Sequence, residues 1–557
     1  MKKMNRRIGI RAVIGLAITM AMAVSLQAKA VQHERPNVIF FIADDMTPEM
    51  FNAIPAGQGK NLTPNLDRLA AEGVFMTNQR VVSPVCTPSR YNSLTGNYAS
   101  RAVNEKFVAF TEQNEGQTVV SFNTHIVPGK NKTMGSYFQE LGYKTGFVGK
   151  NHVVDSPSQI NDDDKPDLHA DPRDPKVKAG LEERHRLLQE DIKNCGFDFA
   201  DSLYHNNPSW LGIKALAVQN MDWVTAGGLK FLETYRDEPT FLYFATTLVH
   251  DPLNPEQSYE GDPRVTAIGY LDEPLNVQPA RETLTARIQE AGLEGVEVTN
   301  LLWLDDALGA LLDKLEETGK IDNTIIVFFN DQGQHNKGTL YQGGIHSQSL
   351  VWRSSGFKCG STCDARVSNI DFMPTLLDFA GYENPDALCD GQSFKAALEG
   401  GDYTERKSMY HELGYARAVT KGKFKYLTLN YPEYAKNATL EERTRMLDAY
   451  NAKRRSFGGE AINLDPTLPY GHLELYPGGG GAESETFGTK PAFFDPEQLY
   501  NLEADPSENV NLVNDPEYAQ KLAEMRKELT NYLDTLPGTF GELKGNKHKS
   551  RNEHNYR

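Results

Sequence analysis

The chain has 557 residues, more than a single hydrophobic core normally organises, so two domains, or one large and one small, are expected. Its composition, 39% hydrophobic and 24% charged, carries no signature of intrinsic disorder. A formal net charge of −17 argues against nucleic acid as a partner, and any anionic substrate must therefore meet positive charge concentrated locally.

Residues 1–30 read as a secretory signal peptide. Lys2, Lys3, Arg6, Arg7 and Arg11 precede an apolar run from Ala12 to Leu26, and Ala28-Lys-Ala30 offers a small-x-small cleavage site. The run is shorter than the ~20 residues a bilayer span needs, and no later stretch is long and apolar enough, so no stable membrane anchor is expected. Export, to the periplasm or the medium, implies an oxidising compartment. Five cysteines are present: Cys86, Cys195, Cys359, Cys363 and Cys389. Setting Cys86 aside leaves four, which permit two disulfides in any of three pairings. No Cys-x-x-Cys pair suggests zinc.

Asn37 to Ile42 is a continuous run of β-formers ending in Ala43-Asp44-Asp45, as expected for a central strand of a parallel sheet covered on both faces. Two carboxylates at its C-terminal end stand where open α/β sheets bind ligands, and their mutual repulsion favours a cation between them. Thr63 to Gly73 reads as helix. The stretch Cys86-Thr-Pro-Ser-Arg90-Tyr-Asn-Ser-Leu-Thr-Gly96 opens a short helix with Cys86 at its N-terminus. Arg90, one turn later, shares its face.

Met134 to Leu141 is expected to be helical. A strand from Tyr143 to Val148 leads into Gly149-Lys150-Asn151-His152, where an extended chain would send Lys150 and His152 to the same side. Residues 155–200, charged and interrupted by proline, read as an insertion over the fold with one helix from Gly180 to Lys193. His205, Asn206 and Asn207 follow as polar candidates for sugar contact. Ala215 to Tyr235 reads as helix and Phe241 to Leu248 as a strand ending near His250. Val298 to Leu315 reads as a core helix, and Ile325 to Phe329 as a strand opening into Asn330-Asp331-Gln332 and Lys337. Four times an apolar strand ends in Asp, Lys/His, His or Asp, which points to one cleft along the C-terminal edge of a sheet.

Beyond Cys389 the pattern changes to short antiparallel strands between Ser408 and Asn430, with Lys421, Lys423 and Lys425 expected on one strand face. Pro477-Gly-Gly-Gly-Gly481 reads as a flexible loop and Pro516 to Leu536 as an amphipathic helix. The expected division is a catalytic domain over residues 31–390, a C-terminal subdomain over 391–545 and a disordered tail over 546–557.

The Cys86–Gly96 stretch resembles the type I sulfatase signature, C-x-P-S-R closed by Leu-Thr-Gly, with Cys86, Pro88, Ser89, Arg90, Leu94, Thr95 and Gly96 all in place. The Gly149-Lys-Asn-His152 element, Asp331-Gln332, Lys337 and the Gly343-Gly344 turn extend the resemblance from Asn37 to about Gly381, and Leu499 to Leu512 resembles the family's C-terminal segment. The resemblance implies an alkaline-phosphatase-like α/β fold, with a large, mixed, mostly parallel sheet flanked by helices and a smaller C-terminal antiparallel sheet with a helix.

It further implies that Cys86 becomes formylglycine through a maturation enzyme, and that Asp44, Asp45, Asp331, Gln332 and position 86 bind Ca²⁺ or Mg²⁺. Arg90 and Lys150 would hold the hydrated aldehyde. His250, assisted by Lys337, would protonate the leaving oxygen of a sulfated carbohydrate, and His152 would take the proton that releases sulfate. Two departures stand out: Gln332 replaces the usual Asn or His, and His346 stands where Arg is usual. Alternatives are a phosphonate or phosphodiester hydrolase of the same superfamily and a non-catalytic Ca²⁺-dependent carbohydrate-binding protein.

Overall fold

A computed structural model describes residues 35–157, 167–456, 461, 464–467, 486, 488–541 and 543. The expected signal peptide, the Asn161–Asp164 run, the Pro477–Gly481 loop and the tail beyond residue 545 lie outside them. The main sheet has eight strands: β1 (Asn37–Ala43), β2 (Val74–Met76), β3 (Lys144–Lys150), β4 (Phe199–Tyr204), β5 (Thr240–Ala245), β6 (Thr324–Asn330), β7 (Ser349–Trp352) and β8 (Thr362–Cys363). Their order is β8-β2-β7-β6-β1-β5-β3-β4, with β7 antiparallel to both its neighbours and the other pairs parallel. This is the large, mixed, mostly parallel sheet expected.

β1 sits at the centre because both of its faces are apolar. Val38, Phe40 and Ile42 enter one core, while Ile39, Phe41 and Ala43 enter the other. Alternating residues of one strand thus anchor two helical layers. One layer includes the helices Pro64–Glu72, Met221–Thr234 and Val296–Glu317; the other includes Cys86–Thr95, Met134–Glu140 and Phe372–Phe379.

The connection from β3 to β4 departs from expectation. Its helix spans Pro175–Lys193, capped by the Asp174 side chain, and buries Leu181, Leu188 and Ile192. A crossover helix is what two adjacent parallel strands require, so this part of the stretch is integral to the sheet. The helix expected from Ala215 begins only at Met221, because the Asn220 side chain caps it by accepting from the Trp223 N–H. β5 ends at Ala245 rather than Leu248. Beyond it the Leu248 carbonyl accepts from the Asp44 N–H and the Val249 N–H donates to the Asp44 carbonyl, which ties this exit to that of β1.

A second sheet of four antiparallel strands, β9 (Met409–Leu413), β10 (Ala416–Lys421), β11 (Phe424–Leu429) and β12 (Glu497–Asn501), packs against the helix Ala519–Leu533 through Tyr410, Val419, Tyr426, Leu499, Leu522, Met525 and Leu529. Lys421, Lys423 and Lys425 do not share a strand face. Gly422, at φ +57°, turns the hairpin between them. Lys421 pairs with Glu524 and Glu528 on the final helix, Lys423 with Glu503, and Lys425 is buried against Glu508 at 2.5 Å.

The second sheet is stitched to the first. Buried Glu412 accepts from the Ser100 N–H at 2.9 Å, and Glu508 accepts from the Gln342 N–H at 2.6 Å. All five cysteines are free, so neither of the two disulfides that the count permits is formed. Cys195 is enclosed in the core, and Cys389 lies against Gly96; only Cys359 and Cys363 face one another.

Buried histidines set an acid limit on the fold. His411 Nδ1 lies 2.9 Å from the Val81 carbonyl, and burial pulls its pKa down to about 3; burial and then Lys106 lower His125 to about 4. An unfolded histidine takes up its proton near pH 6.5, so between that pH and the folded values the unfolded chain binds more protons. Stability therefore falls as pH drops through this window. A melting temperature that declines from pH 7 to pH 5, with a shallower decline in His411→Gln, is expected. An unchanged slope in that variant would refute the assignment for His411.

Candidate active site

The exits of β1, β3, β5 and β6 meet at one place, and the N-terminus of the Cys86–Thr95 helix points at it. That helix is buried along its whole length and ends at Gly96. Gly96 has φ +66°, and a Cβ there would lie 2.8 Å from the Cys389 sulfur and the Met373 methyl, so both conformation and space demand glycine. Asn369 anchors the helix from the opposite side, donating to the Ser89 carbonyl at 3.2 Å and its hydroxyl at 3.0 Å while accepting from the Val82 N–H. Ser89 in turn donates to the Asp331 carbonyl.

Cys86 is 1% exposed, and its sulfur lies 3.5 Å from Asp44 Oδ1. Burial, then the Asp44 charge, pushes the thiol well above its ordinary pKa. An unmodified Cys86 is therefore a poor thiolate nucleophile at neutral pH. Arg90 is fully buried, 3.1 Å from Asp331 Oδ2 and 3.6 Å from Asp44 Oδ2. Its Nε and Nη1 are enclosed with no hydrogen-bond partner.

Lys150 pairs with Asp44, and the chain brings it there by a different route from the simple alternation expected. The β3–β4 register shifts between Val148 and Lys150, and Gly149, at φ +88°, passes so close to β5 that a Cβ would lie 1.9 Å from the Ala245 carbonyl. His152 has φ +49° and stacks on Phe122, so it does not lie in an extended segment. Its Nδ1 is buried without a partner, and burial followed by the charges of Lys150 and Arg90 holds its pKa far below the usual value.

His250 Nε2 lies 3.5 Å from Asp45 Oδ2, and its Nδ1 lies 3.2 Å from the Asp251 carbonyl, which assigns the Nδ1 proton. Burial lowers the His250 pKa, against the nearby Asp45. Lys337 grips Asp45 at 2.5 and 2.6 Å; burial opposes its charge, but Asp45, Cys86 and Asp44 together raise its pKa. Nine of the ten candidate side chains therefore reach one cluster: Asp44, Asp45, Cys86, Arg90, Lys150, His152, His250, Asp331 and Lys337. Gln332 joins them, its Nε2 donating to Asp45 Oδ1.

Ligand-capable atoms of Asp44, Asp45, Cys86 and Asp331 all lie within 4.8 Å of one another. Burial opposes charge on both Asp44 and Asp331; Lys150 and Arg90 nevertheless hold Asp44 low, while the Asp44 charge helps push Asp331 up. Gln332 Oε1 is buried and unpartnered beside them. Three crowded carboxylates and an orphaned amide oxygen suit a hard divalent cation.

The sequence profile of the Sulfatase family matches residues 36–382. The chain belongs to the sulfatase family. An ulvan-active sulfatase of Formosa agariphila is 25% identical to this sulfatase over 521 residues, which cover 90% of this chain and 75% of the relative. An N-acetylglucosamine-6-O-sulfatase of Bacteroides thetaiotaomicron is 25% identical over 560 residues, covering 89% and 86%. A structure solved in complex with its substrate D-glucosamine-2-N,6-O-disulfate superposes at a TM-score of 0.54 with 18% identity, covering 90% of this sulfatase and 98% of that chain. That likeness concerns the fold.

Sequence reasoning missed the supports of the site. Asn330 accepts from the Met46 N–H and donates to the Met46 and Gln332 carbonyls, fixing the exits of β1 and β6; its place before Asp331 was the available signal. Asn369 carries no local signal. Arg80, paired by a β-bridge with His346, brings a guanidinium beside the position where the family usually has Arg.

Proposed function

We propose that this sulfatase hydrolyses sulfate esters of saccharides, using formylglycine made from Cys86 and a divalent cation, Ca²⁺ or Mg²⁺. The observation that carries the reading is the buried signature helix, which puts Cys86 among three carboxylates and against Arg90. The names of the carbohydrate sulfatases it resembles support the substrate class. A sugar sulfate outside the cell suits the export expected from residues 1–30.

Asp44, Asp45, Asp331 and the Gln332 amide oxygen would hold the cation. Bound there, the cation supplies positive charge against the sulfate oxygens, and formylglycine supplies an oxygen nucleophile toward sulfur. Arg90, paired with Asp331 and close to Asp44, holds the two carboxylates in place and opposes the rise of the Asp331 pKa. Lys150 pairs with Asp44 Oδ2, the oxygen that Arg90 also approaches. His250, protonated on Nε2 beside Asp45 as well as on Nδ1, would give the Nε2 proton to the departing sugar oxygen and be left neutral, with the Lys337 charge alongside. Neutral His152 accepts the proton whose removal releases sulfate.

Intact-mass analysis before and after thiol labelling tests the modification. A converted Cys86 shifts the mass and blocks labelling at that position, leaving the other four cysteines, and an unmodified Cys86 thiol in active enzyme overturns the reading. His250 is tested through the leaving group. An acid matters most for a basic sugar alkoxide and least for an activated phenol. His250→Ala is expected to lower turnover of a sulfated sugar by ~10²–10⁴-fold while costing nitrophenyl sulfate much less. Equal losses on both, with a lower melting temperature, would make His250 structural.

A further inference from the structure

Next to His152 the fold leaves a recess that the chemistry above does not use. Leu181 and His185 from the Pro175–Lys193 helix, Leu203 at the end of β4, His205 and Asn206 beyond it, and Trp210 line it. Its wall is fastened to the site by backbone: the Asn151 N–H donates to the Tyr204 carbonyl and the His152 N–H to the His205 carbonyl, both at 2.8 Å. The strand end that presents His152 therefore also sets the position of His205 and of the turn that follows.

The lining has the character of a sugar site. Trp210, on the short turn Pro208–Leu211, is 57% exposed, although large aromatics are usually covered. The leucines make an apolar floor. The polar lining of the recess is Arg184, His185, His205 and Asn206. His185 Nε2 accepts from the Leu203 N–H at 3.2 Å, which puts its proton on Nδ1 as a donor. His205 Nδ1 is enclosed with no hydrogen-bond partner. A concave apolar surface with a few oriented donors and acceptors is how proteins hold small polar ligands, and a pyranose offers an apolar C–H face and a rim of hydroxyls.

We propose that this recess binds the sugar ring next to the sulfated one, stacked on Trp210 and hydrogen bonded through His185, His205 and Asn206, so that the enzyme prefers an oligosaccharide to a sulfated monosaccharide. The inference rests on the saccharide reading above and adds a second ring to it. An isolated surface tryptophan would not need a neighbouring histidine pinned by backbone, nor a shared strand end with His152.

The test uses the mature full-length enzyme and its hydrolysis of nitrophenyl sulfate. N-acetylglucosamine 6-sulfate, N-acetylgalactosamine 6-sulfate, and size-fractionated oligosaccharides of chondroitin 6-sulfate and ulvan are added as competitors. In the parent enzyme at least one series is expected to inhibit roughly 10-fold more tightly at two rings than at one. Trp210→Ala should erase that gain and Trp210→Phe restore most of it, with kcat and KM for nitrophenyl sulfate unchanged. No gain with length in any series, or a gain that survives Trp210→Ala, overturns the proposal. A parallel loss on nitrophenyl sulfate makes Trp210 structural and overturns it equally. Failure of the parent enzyme to bind any of these saccharides, while it still cleaves nitrophenyl sulfate, sinks the saccharide reading itself.

Discussion

Replacing Cys86 with alanine is expected to abolish sulfate ester turnover while leaving the protein folded. The loss should reach at least ~10⁴-fold, the scale seen when a nucleophile is removed and the rest of the site remains. The side chain is small and its one polar contact is the long 3.5 Å approach to Asp44, so the packing cost is slight. Arg90, Lys150 and the carboxylates keep one another in place without it. A melting temperature within about 4 °C of the parent is expected. Activity on nitrophenyl sulfate above ~1% of the parent value, in protein free of host sulfatase, would refute a covalent role for position 86.

The second large effect concerns Asp44→Asn. The carboxylate is wholly buried and shared by Lys150, Arg90 and the proposed cation. Its amide replacement keeps the shape but removes the charge that balances two enclosed basic groups. Bound cation and activity are both expected to disappear. Asp331→Asn should lose both as well, because its carboxylate comes from a separate strand. Metal analysis of the purified variants separates this from a purely structural role. Full stoichiometric Ca²⁺ or Mg²⁺ in either variant would count against the assignment. Gln332→Ala, which removes only one neutral oxygen, should lower affinity by a smaller factor.

What could be read from the sequence follows a physical division. β1 and β6 are continuous runs of β-formers, and parallel strands bind ligands at their C-terminal ends, so Asp44, Asp45 and Asp331 were legible from local pattern alone. The helix spacing of Cys86 and Arg90 was equally local. The β3–β4 crossover was less legible, because the polar face of its helix made an integral element look like an excursion. The lysines at 421, 423 and 425 alternate as on a strand, yet Gly422 reverses the chain between them. His152 was placed by assuming extended backbone, and the bulge at Gly149 intervenes. Asn369 and Glu412 hold partners some 300 residues away, and no window along the chain records such a pairing.

The central position of β1 also sets a clock. Asp45 and Asp331, whose backbone and carboxylate meet at 3.4 Å, are 286 residues apart, and β1 is hydrogen bonded on both sides only after β6 exists. At synthesis rates of about 5–20 residues per second, the first strand waits roughly 15–60 s for its last neighbour. During that wait Val38–Ile42 is an apolar edge with unpaired amides, the kind of segment that recruits the wrong strand. Its safe delivery falls to whatever holds the growing chain open.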